Sequence, residues 1–324
     1  MRPDSNRHPS VLVLGGLGDI ARSIVKVLQA NFVELRVFLA DARAPDFKAS
    51  SVYRLPTSDN HAYPTELKAL VNELRPDVVL PTNEREIARL AQDDIALGTT
   101  SRVLLETREH LRVFGDKLLT YDWCVSNGIP TIPTVLASGV AEVAFPLLLK
   151  PREGSGSRNQ IIIDRPAALE SVLPTLNDSF VVQPLVAGAQ EFTCVAARAG
   201  FEIRTLVLER RLHAGRSRWV RVAEDSGVIW LAERMAALVR PNYSVNFQFL
   251  KSESDIFLID VNPRFSSTVA MRDALGFADL VWTIKQAFGL DPGPWKSPTV
   301  GTVVEWADDD GEALVLRPAT AEAS

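Results

Sequence analysis

Cysteine is scarce in this chain of 324 residues, which contains only Cys124 and Cys194. Both stand in apolar surroundings, so we expect small buried hydrophobic residues and no disulfide framework. No signal-peptide pattern is visible at the N-terminus. Together these features predict a cytoplasmic protein.

Long hydrophobic runs and blocks of basic residues are also missing. No apolar run approaches the roughly 20 residues that a membrane helix needs, so no membrane span is expected. The net charge of −5 argues against nonspecific binding to nucleic acid. A hydrophobic content of 46% with 23% charged residues is ordinary for a soluble globular protein. The length suits about two or three subdomains.

The N-terminal segment has the pattern of a βαβ unit. Its parts are a strand at 11–14, the loop Gly-x-Gly-x-x-Ala at 16–21, a helix over about 20–30 and a strand at 35–40 that ends at Asp41. Read alone, the motif is typical of a dinucleotide-binding enzyme. Two other interpretations stay open for Gly16 and Gly18. Glycine permits a tight strand-to-helix turn, and the loop amides would favour any anion, including a substrate carboxylate.

Polar residues follow the next predicted strand, at 76–81, and precede a helix expected to start near Ile87. Ligands of open α/β sheets collect at such strand ends. Asn83 and Glu84 are therefore candidate contacts to an acceptor substrate. A polar loop with a helix N-cap would explain the same residues equally well.

Two strands of alternating polarity, joined by a polar turn, form the most informative stretch. The first carries Gln248, and the second carries Asp260 and Asn262 on one face, with Arg264 just beyond. Pairing of the strands would gather carboxylate and amide oxygens, which suit a hard cation and the phosphates that share it. For the second strand alone, a solvated Asp and an Asn-Pro turn is the simpler interpretation.

A second strong pattern is an apolar strand that ends at Lys150 and continues into a Gly/Ser loop. A lysine charge beside many backbone N–H groups, on a loop free to close, suits a polyphosphate. Gly154, Ser155 and Gly156 are the candidates to cover it. The Walker pattern is absent from the sequence, so this loop is not a P-loop.

These segments, in order and spacing, resemble the ATP-grasp enzymes over about residues 10–290. The likeness is greatest to the branch of carbamoyl-phosphate synthetases and carboxylate–amine ligases. It implies that Gln248, Asp260 and Asn262 hold Mg²⁺ (or Mn²⁺) on the phosphates of ATP. It also implies that Arg264 faces the γ-phosphate and the acyl phosphate. The usual residue at position 260 is Glu, and the shorter Asp would ligate one cation instead of bridging two.

The resemblance assigns further nucleotide contacts. Lys150 would hold the α- and β-phosphates, and Lys117, at the entrance to the lid, would also contact the phosphates. A segment similar to the family's hinge would read the adenine edge around Gln183 and Leu185. Glu191 would hold the ribose. The usual first hinge residue is Glu, and Gln183 departs from it, although an amide still accepts from the adenine amino group.

A basic loop is expected at 210–217. Its Leu-His-x-Gly-x-Ser pattern is similar to a loop of carbamoyl-phosphate synthetases in which the His lies near ATP, so His213 is a nucleotide-site candidate. Arg210, Arg211 and Arg216 are candidate clamps for substrate or phosphate. A solvated basic surface would explain these arginines as well.

The fold implied by the resemblance is α/β (α+β), in five consecutive parts. They are a Rossmann-like βαβ domain at 1–105, a linker helix at 106–127, a small lid at 128–187, an antiparallel-sheet lobe with the metal hairpin at 188–295 and a tail at 296–324.

The implied activity is ADP-forming ligation of a small-molecule carboxylate to a small-molecule amine, with ATP and Mg²⁺, through an acyl phosphate. One alternative is phosphorylation of carbamate or bicarbonate. The other is an NAD-binding βαβ protein or a non-catalytic nucleotide binder. Neither nucleic acid nor a membrane is an expected partner, and a homodimer is compatible with the sequence.

Overall fold

The computed structural model describes residues 8–43, 52–92, 101–154, 159–213, 216–307 and 313–319. Within these ranges the chain forms three β-sheets, of five, four and seven strands. None of the described helices is both long enough and apolar enough to cross a membrane.

The first sheet is parallel and has the strand order β3-β2-β1-β4-β5. Its elements are β1 (Ser10–Leu14), α1 (Asp19–Asn31), β2 (Arg36–Asp41), β3 (Val52–Arg54), α2 (Tyr63–Leu74), β4 (Val78–Pro81), α3 (Glu84–Gln92) and β5 (Arg102–Val103). Every residue of β1 and β4 is buried, because apolar clusters cover both faces of a parallel sheet. The strand order reverses between β1 and β4, which is where such sheets bind ligands.

Two short helices lead into a small antiparallel sheet with the order β6-β9-β7-β8. The elements are α4 (Arg108–Phe114), α5 (Lys117–Ser126), β6 (Val135–Leu136), β7 (Leu147–Pro151), β8 (Ile161–Ile163), α6 (Pro166–Val172) and β9 (Phe180–Pro184). The helices α4 and α5 are separated at Gly115, which follows the last residue of α4. Asp116 caps α5 by accepting from the backbone N–H of Leu118 at 2.9 Å.

The third sheet is antiparallel and has the order β14-β13-β10-β11-β12-β15-β16. Its elements are β10 (Gln190–Ala199), β11 (Glu202–His213), β12 (Arg216–Val222), α7 (Ser226–Val239), β13 (Ser244–Lys251), β14 (Ile256–Asn262), α8 (Val269–Ala274), α9 (Asp279–Ala287), β15 (Val303–Trp306) and β16 (Leu314–Arg317). One face packs on α7 and the other on α8 and α9. Cys124 and Cys194 are both buried and free, as expected.

The hairpin of β13 and β14 has the register that its alternation predicts. Gln248 lies directly opposite Asp260, and Asn246 lies opposite Asn262, with a bulge just after Gln248. The bulge adds one residue to β14 and bends the strand locally. The polar side chains of both strands therefore share one face of the sheet.

Two predicted boundaries are wrong. Helix α3 begins at Glu84 and not near Ile87, because Asn83 caps it by accepting from the N–H of Arg85 at 2.9 Å. The expected basic loop is largely strand, since β11 continues to His213 and β12 begins at Arg216. Charged side chains on neighbouring strands can pair with one another, so a segment with the composition of a loop can still form strands.

Long-range hydrogen bonds join the three sheets into one structure. The N–H of Leu258 in β14 donates to Pro130 at 2.9 Å, and the Thr131 hydroxyl donates to the Leu258 carbonyl at 2.8 Å. The Glu106 carboxylate accepts from the N–H groups of Asn242 and Tyr243, each at 2.8 Å. The start of the small sheet is thus attached to the hairpin two residues before Asp260.

Candidate nucleotide and metal site

The hairpin carries the side-chain oxygens of Gln248, Asp260 and Asn262 on one face of the sheet. The Asn262 amide donates to Asp260 at 2.9 Å, and Arg264 donates to the Asn262 oxygen at 3.0 Å. Asp260 is the one carboxylate among these three side chains. The described residues contain no cluster of three or more His, Cys, Asp or Glu side chains that could hold a metal ion. Asp260 and Asn262 stay the predicted ligands of a hard cation, and such a cation would take the place of Arg264 at the Asn262 oxygen.

Lys150 lies at the end of β7 and is buried. Burial lowers the pKa of its ammonium group, the charge of Asp260 opposes this shift and Lys117 adds to it. No described oxygen accepts a hydrogen bond from this ammonium. A buried cation without a partner is costly in free energy, so the position favours an anionic ligand. Lys117, Lys150 and Asp260, predicted from separate parts of the sequence, are therefore brought together.

The start of the Gly/Ser loop is attached to the N-terminus of α5. The Lys117 ammonium donates to the Gly154 carbonyl at 2.7 Å. Arg152 forms an ion pair with Asp116 at 2.7 Å, and its carbonyl accepts from the N–H of Lys117 at 3.0 Å. Ser155 and Gly156 lie outside the described residues.

A narrow cleft, open to solvent, lies between α5, β9 and β14. It is lined by Lys117, Thr120, Tyr121, Thr131, Thr134, Gln183, Leu258, Ile259 and Asp260. Gln183 donates to the Thr134 hydroxyl at 2.8 Å, whereas its own oxygen is buried and has no hydrogen-bond partner in the described part of the chain. A buried acceptor that is free while the donor is engaged suits an amino group. Thr134 was not anticipated, because only the fold places it beside Gln183.

The backbone N–H of Leu185 is engaged within the fold. Its N–H donates to the Pro146 carbonyl at 2.8 Å, so the group is already engaged within the small sheet. An N–H that continues a strand ladder is not free to read a base edge. The adenine contacts around Gln183 and Leu185 stay predictions, and Leu185 would have to contribute through a group other than its N–H.

Glu191 and Gln248 are joined by an arginine of β11. Arg210 donates through Nε to Glu191 at 3.0 Å and through a terminal nitrogen to the Gln248 oxygen at 3.0 Å. The Arg210 side chain is only 11% exposed. The sequence named Arg210 among three basic candidates, but it gave no sign of this bridge.

The other residues of the basic segment are arranged differently. Arg211 stacks on the ring of Trp219 at 4.4 Å, on the opposite face of the sheet from Arg210. His213 is exposed at the end of β11 and pairs with Arg216 in the backbone register. The geometry therefore does not support Arg211 as a clamp beside the hairpin, and it gives His213 no contact with the cleft.

The glycine loop after β1 uses its amides within the fold. The N–H groups of Gly16, Leu17 and Gly18 donate to Ala40, to the Asp41 carboxylate and to Gly15, each at 2.9 Å. A Cβ at Gly16 would lie 2.8 Å from that of Leu39, so glycine is required for the close approach to β2. These contacts favour the architectural interpretation of Gly16 and Gly18.

Glu84 and Arg264 lie 180 residues apart in the chain and form an ion pair, with Nε of Arg264 at 2.6 Å from the carboxylate. The pair joins the first turn of α3 to the end of the metal hairpin. Asn83 instead caps α3. Glu84 is thus placed beside the residue expected to face the transferred phosphate.

Glu86 is a buried carboxyl group beneath the glycine loop, and the sequence did not single it out. Burial raises its pKa to about 7, although the Tyr63 hydroxyl donates to it at 3.2 Å, and the charge of Asp41 adds to the rise. Its second oxygen has no partner among the described residues. The folded protein therefore holds a proton here that the unfolded chain releases near the ordinary glutamate pKa.

We expect the melting temperature to fall as the pH rises from 5 to 8, and the Glu86→Gln variant to lose much of that fall. The pKa of Glu86 is higher in the folded protein than in the unfolded chain, so its protonation stabilises the fold. This contribution is fully present below the unfolded pKa and is lost as the pH rises through about 7. The loss is up to about 3 kcal/mol. Glu73→Gln, at an exposed position of α2, is the control. Parallel pH profiles for wild type and Glu86→Gln would contradict this account.

The fold agrees with that of known ATP-grasp structures. An N5-carboxyaminoimidazole synthetase from Staphylococcus aureus with ADP is 14% identical, with a TM-score of 0.71 over 92% of this chain and 82% of that one. A carboxyaminoimidazole ribonucleotide synthase from Aspergillus clavatus with ATP is 16% identical, with a TM-score of 0.72 over 92% and 81%. The biotin carboxylase domain of the Hydrogenobacter thermophilus 2-oxoglutarate carboxylase, solved as a dimer with MgADP and bicarbonate, is 13% identical, with a TM-score of 0.68 over 92% and 74%.

A family model gives independent support. Residues 177–309 match a family described as ATP-grasp in the biosynthetic pathway with Ter operon. This range contains β10 to β15 and therefore the whole metal hairpin. The prediction of the ATP-grasp fold is confirmed. This chain thus has the fold of the ATP-grasp proteins, and residues 177–309 match the model of that family.

Proposed function

We propose that this protein is an ATP- and Mg²⁺-dependent ligase that activates a small carboxylate as an acyl phosphate and joins it to a small amine. The observation that carries the proposal is the buried Lys150 side chain, whose ammonium donates to no oxygen of the described residues and lies near Asp260. The similar structures were solved with ADP, ATP or MgADP, which supports the same nucleotide here.

Each end of the cleft suits one part of the nucleotide. Gln183 offers a free buried acceptor to the adenine amino group. Lys150 and Lys117 offer positive charge to the phosphates, with the loop from Gly154 beside them. Glu191 is placed to accept from the ribose hydroxyls. Recognition would thus combine one neutral acceptor with several cations.

A bound Mg²⁺ would neutralise phosphate charge, and Asp260 and Asn262 are the residues that would hold it. Arg264 would stabilise the transferred group, with its guanidinium oriented by Glu84 and Asn262. A carboxylate oxygen of the substrate attacks the γ-phosphorus, and the bond to the bridging oxygen breaks to release ADP. The amine then attacks the acyl carbon, phosphate leaves and the amine loses a proton. The protein acts mainly by positioning and charge neutralisation.

Bicarbonate is a second candidate for the acid. The biotin carboxylase domain among the similar structures was solved with a bicarbonate anion beside MgADP. Phosphorylation of bicarbonate or carbamate would use the same lysines and the same hairpin. The choice between the two acids depends on the acceptor region near Glu84.

We expect ADP release to depend on both an acid and Mg²⁺ when purified protein is screened against small carboxylates, amino acids and bicarbonate. Hydroxylamine should trap the acyl phosphate as a hydroxamate when the acid is a carboxylate, and no stable hydroxamate should form with bicarbonate. The Asp260→Asn variant serves as the control for contaminating phosphatases. ADP release that is equal in that variant, or that no acid stimulates, would contradict the proposal.

A further inference from the structure

Two side-chain oxygens, one of Thr82 and one of Glu86, face the glycine loop that follows β1. A Cβ at Gly15 would lie 2.9 Å from Thr82 Oγ1 and 3.1 Å from Glu86 Oε2. Both oxygens therefore point to the side of Gly15 on which any other residue would carry its side chain. Gly15 also has a positive φ of 65°, which favours glycine at this position. The glycine thus keeps a small space open beside the two oxygens.

Both oxygens can act only as acceptors once Glu86 is ionised. The Thr82 hydroxyl donates its one proton to the Leu14 carbonyl at 2.8 Å, so lone pairs are all that its oxygen has left. The other oxygen of Glu86 accepts from the Tyr63 hydroxyl at 3.2 Å. Glu86 is 6% exposed, and its Oε2 has no partner among the described residues. Buried polar atoms are nearly always paired, so the space favours a ligand that donates hydrogen bonds.

The charge around this space favours a cationic donor. Burial raises the pKa of Glu86 to about 7, and the charge of Asp41, at the end of β2, adds to the rise. Tyr63 of α2 is the other titratable group that acts on Glu86 within the described ranges. Arg43 pairs with Asp41, and Arg89 acts on Tyr63. An ammonium group beside Oε2 would stabilise the ionised carboxylate and be held by it.

The space lies where an acceptor substrate is expected. It is at the carboxyl ends of β1 and β4, between which the strand order reverses. Glu86 is in the first turn of α3 together with Glu84, which pairs with Arg264 at the end of the metal hairpin. An amine bound by Glu86 would therefore lie on the same helix turn that contacts the residue proposed to stabilise the transferred phosphate.

We infer that Glu86 and Thr82 bind the amino group of the acceptor substrate, as an ammonium ion, in the space beside Gly15. The assignment rests on the proposed function and names the class of its second substrate, a small primary amine that is protonated at neutral pH. Its nitrogen donates to Glu86 Oε2 and to Thr82 Oγ1. Glu86 can take up one proton from the ammonium group, which leaves a neutral amine and a neutral carboxyl group.

The test measures the melting temperature of the full-length protein without nucleotide, with methylammonium chloride as the probe. Methylammonium should stabilise the wild type, whereas tetramethylammonium, which has no N–H donor, should act only as equimolar sodium chloride does. The half-saturating concentration of methylammonium should be about tenfold lower at pH 8 than at pH 6. The reason is that the ionised fraction of Glu86 rises about tenfold over this range when its pKa is about 7.

Glu86→Gln keeps the shape of the side chain but removes its charge, so it should lose both the stabilisation and its pH dependence. Glu73→Gln, at an exposed position of α2, is the matched control and should behave as the wild type. Equal effects of methylammonium and tetramethylammonium on the wild type overturn the inference, and this comparison requires no variant to fold. Stabilisation that persists in Glu86→Gln also overturns it. Both measurements omit ATP, so a wild type that releases no ADP with any acid would defeat the proposed function separately.

Discussion

The Asp260→Asn variant is expected to lose about 10²–10³-fold in turnover, the loss typical of removing one preorganised electrostatic contact. The substitution keeps the shape of the side chain and an oxygen that can accept from Asn262, which donates to Asp260 at 2.9 Å. It removes the one negative charge among the proposed hairpin ligands Gln248, Asp260 and Asn262. A cation then binds weakly, and the transferred phosphoryl group lacks its neutralising charge. ADP release with saturating substrates measures the effect.

Folding should be nearly unaffected in this variant, because Asp260 is only partly buried at a strand end. Asp255→Asn, in the exposed turn of the same hairpin, is the matched control and should retain wild-type turnover. Thermal melting of both variants separates a catalytic effect from a loss of structure. Wild-type turnover in a normally folded Asp260→Asn protein would show that the hairpin is only architectural.

The Lys150→Ala variant is expected to bind ATP at least about tenfold more weakly, since losing a charged hydrogen-bond partner typically costs about 1.5–3 kcal/mol. The variant should still fold, because burial already disfavours the charged ammonium, as the lowered pKa of Lys150 indicates. Equilibrium binding of ATP in the presence of Mg²⁺ measures the change.

The pH dependence of ATP binding gives a second test of Lys150. Burial lowers the pKa of the Lys150 ammonium, so this group loses its charge at a lower pH than an ordinary lysine does. The affinity of the wild type for ATP should therefore begin to fall at that lower pH. Lys150→Ala should lack that decline, and Lys68→Ala, at an exposed position of α2, should keep it. Equal ATP affinity in wild type and Lys150→Ala would remove Lys150 from the phosphate site.

Local patterns predicted the parts of the site that depend on strand periodicity. The alternation of β13 and β14, with a polar turn between them, fixes Gln248 opposite Asp260. The apolar run before Lys150 and the proline after it fix the end of β7. These features need only a few neighbouring residues, so the sequence alone carries them.

Contacts between residues far apart in the sequence could not be predicted from local patterns. The pair of Glu84 and Arg264 depends on how the first sheet packs against the hairpin, 180 residues away. The bridge from Arg210 to Gln248 requires that a segment with the composition of a loop be a strand. The hydrogen bond from the Leu185 N–H to Pro146 likewise forms only in the folded small sheet. Tertiary packing decides each of these cases.

Equilibrium binding of ATP with and without Mg²⁺, with NADH titrated in parallel, tests the central claim most directly. The account predicts saturable ATP binding that Mg²⁺ strengthens in the wild type and that Mg²⁺ fails to strengthen in Asp260→Asn. It predicts no saturable NADH binding, because the amides of Gly16 and Gly18 are engaged within the fold. Micromolar NADH affinity together with indifference to MgATP would contradict it.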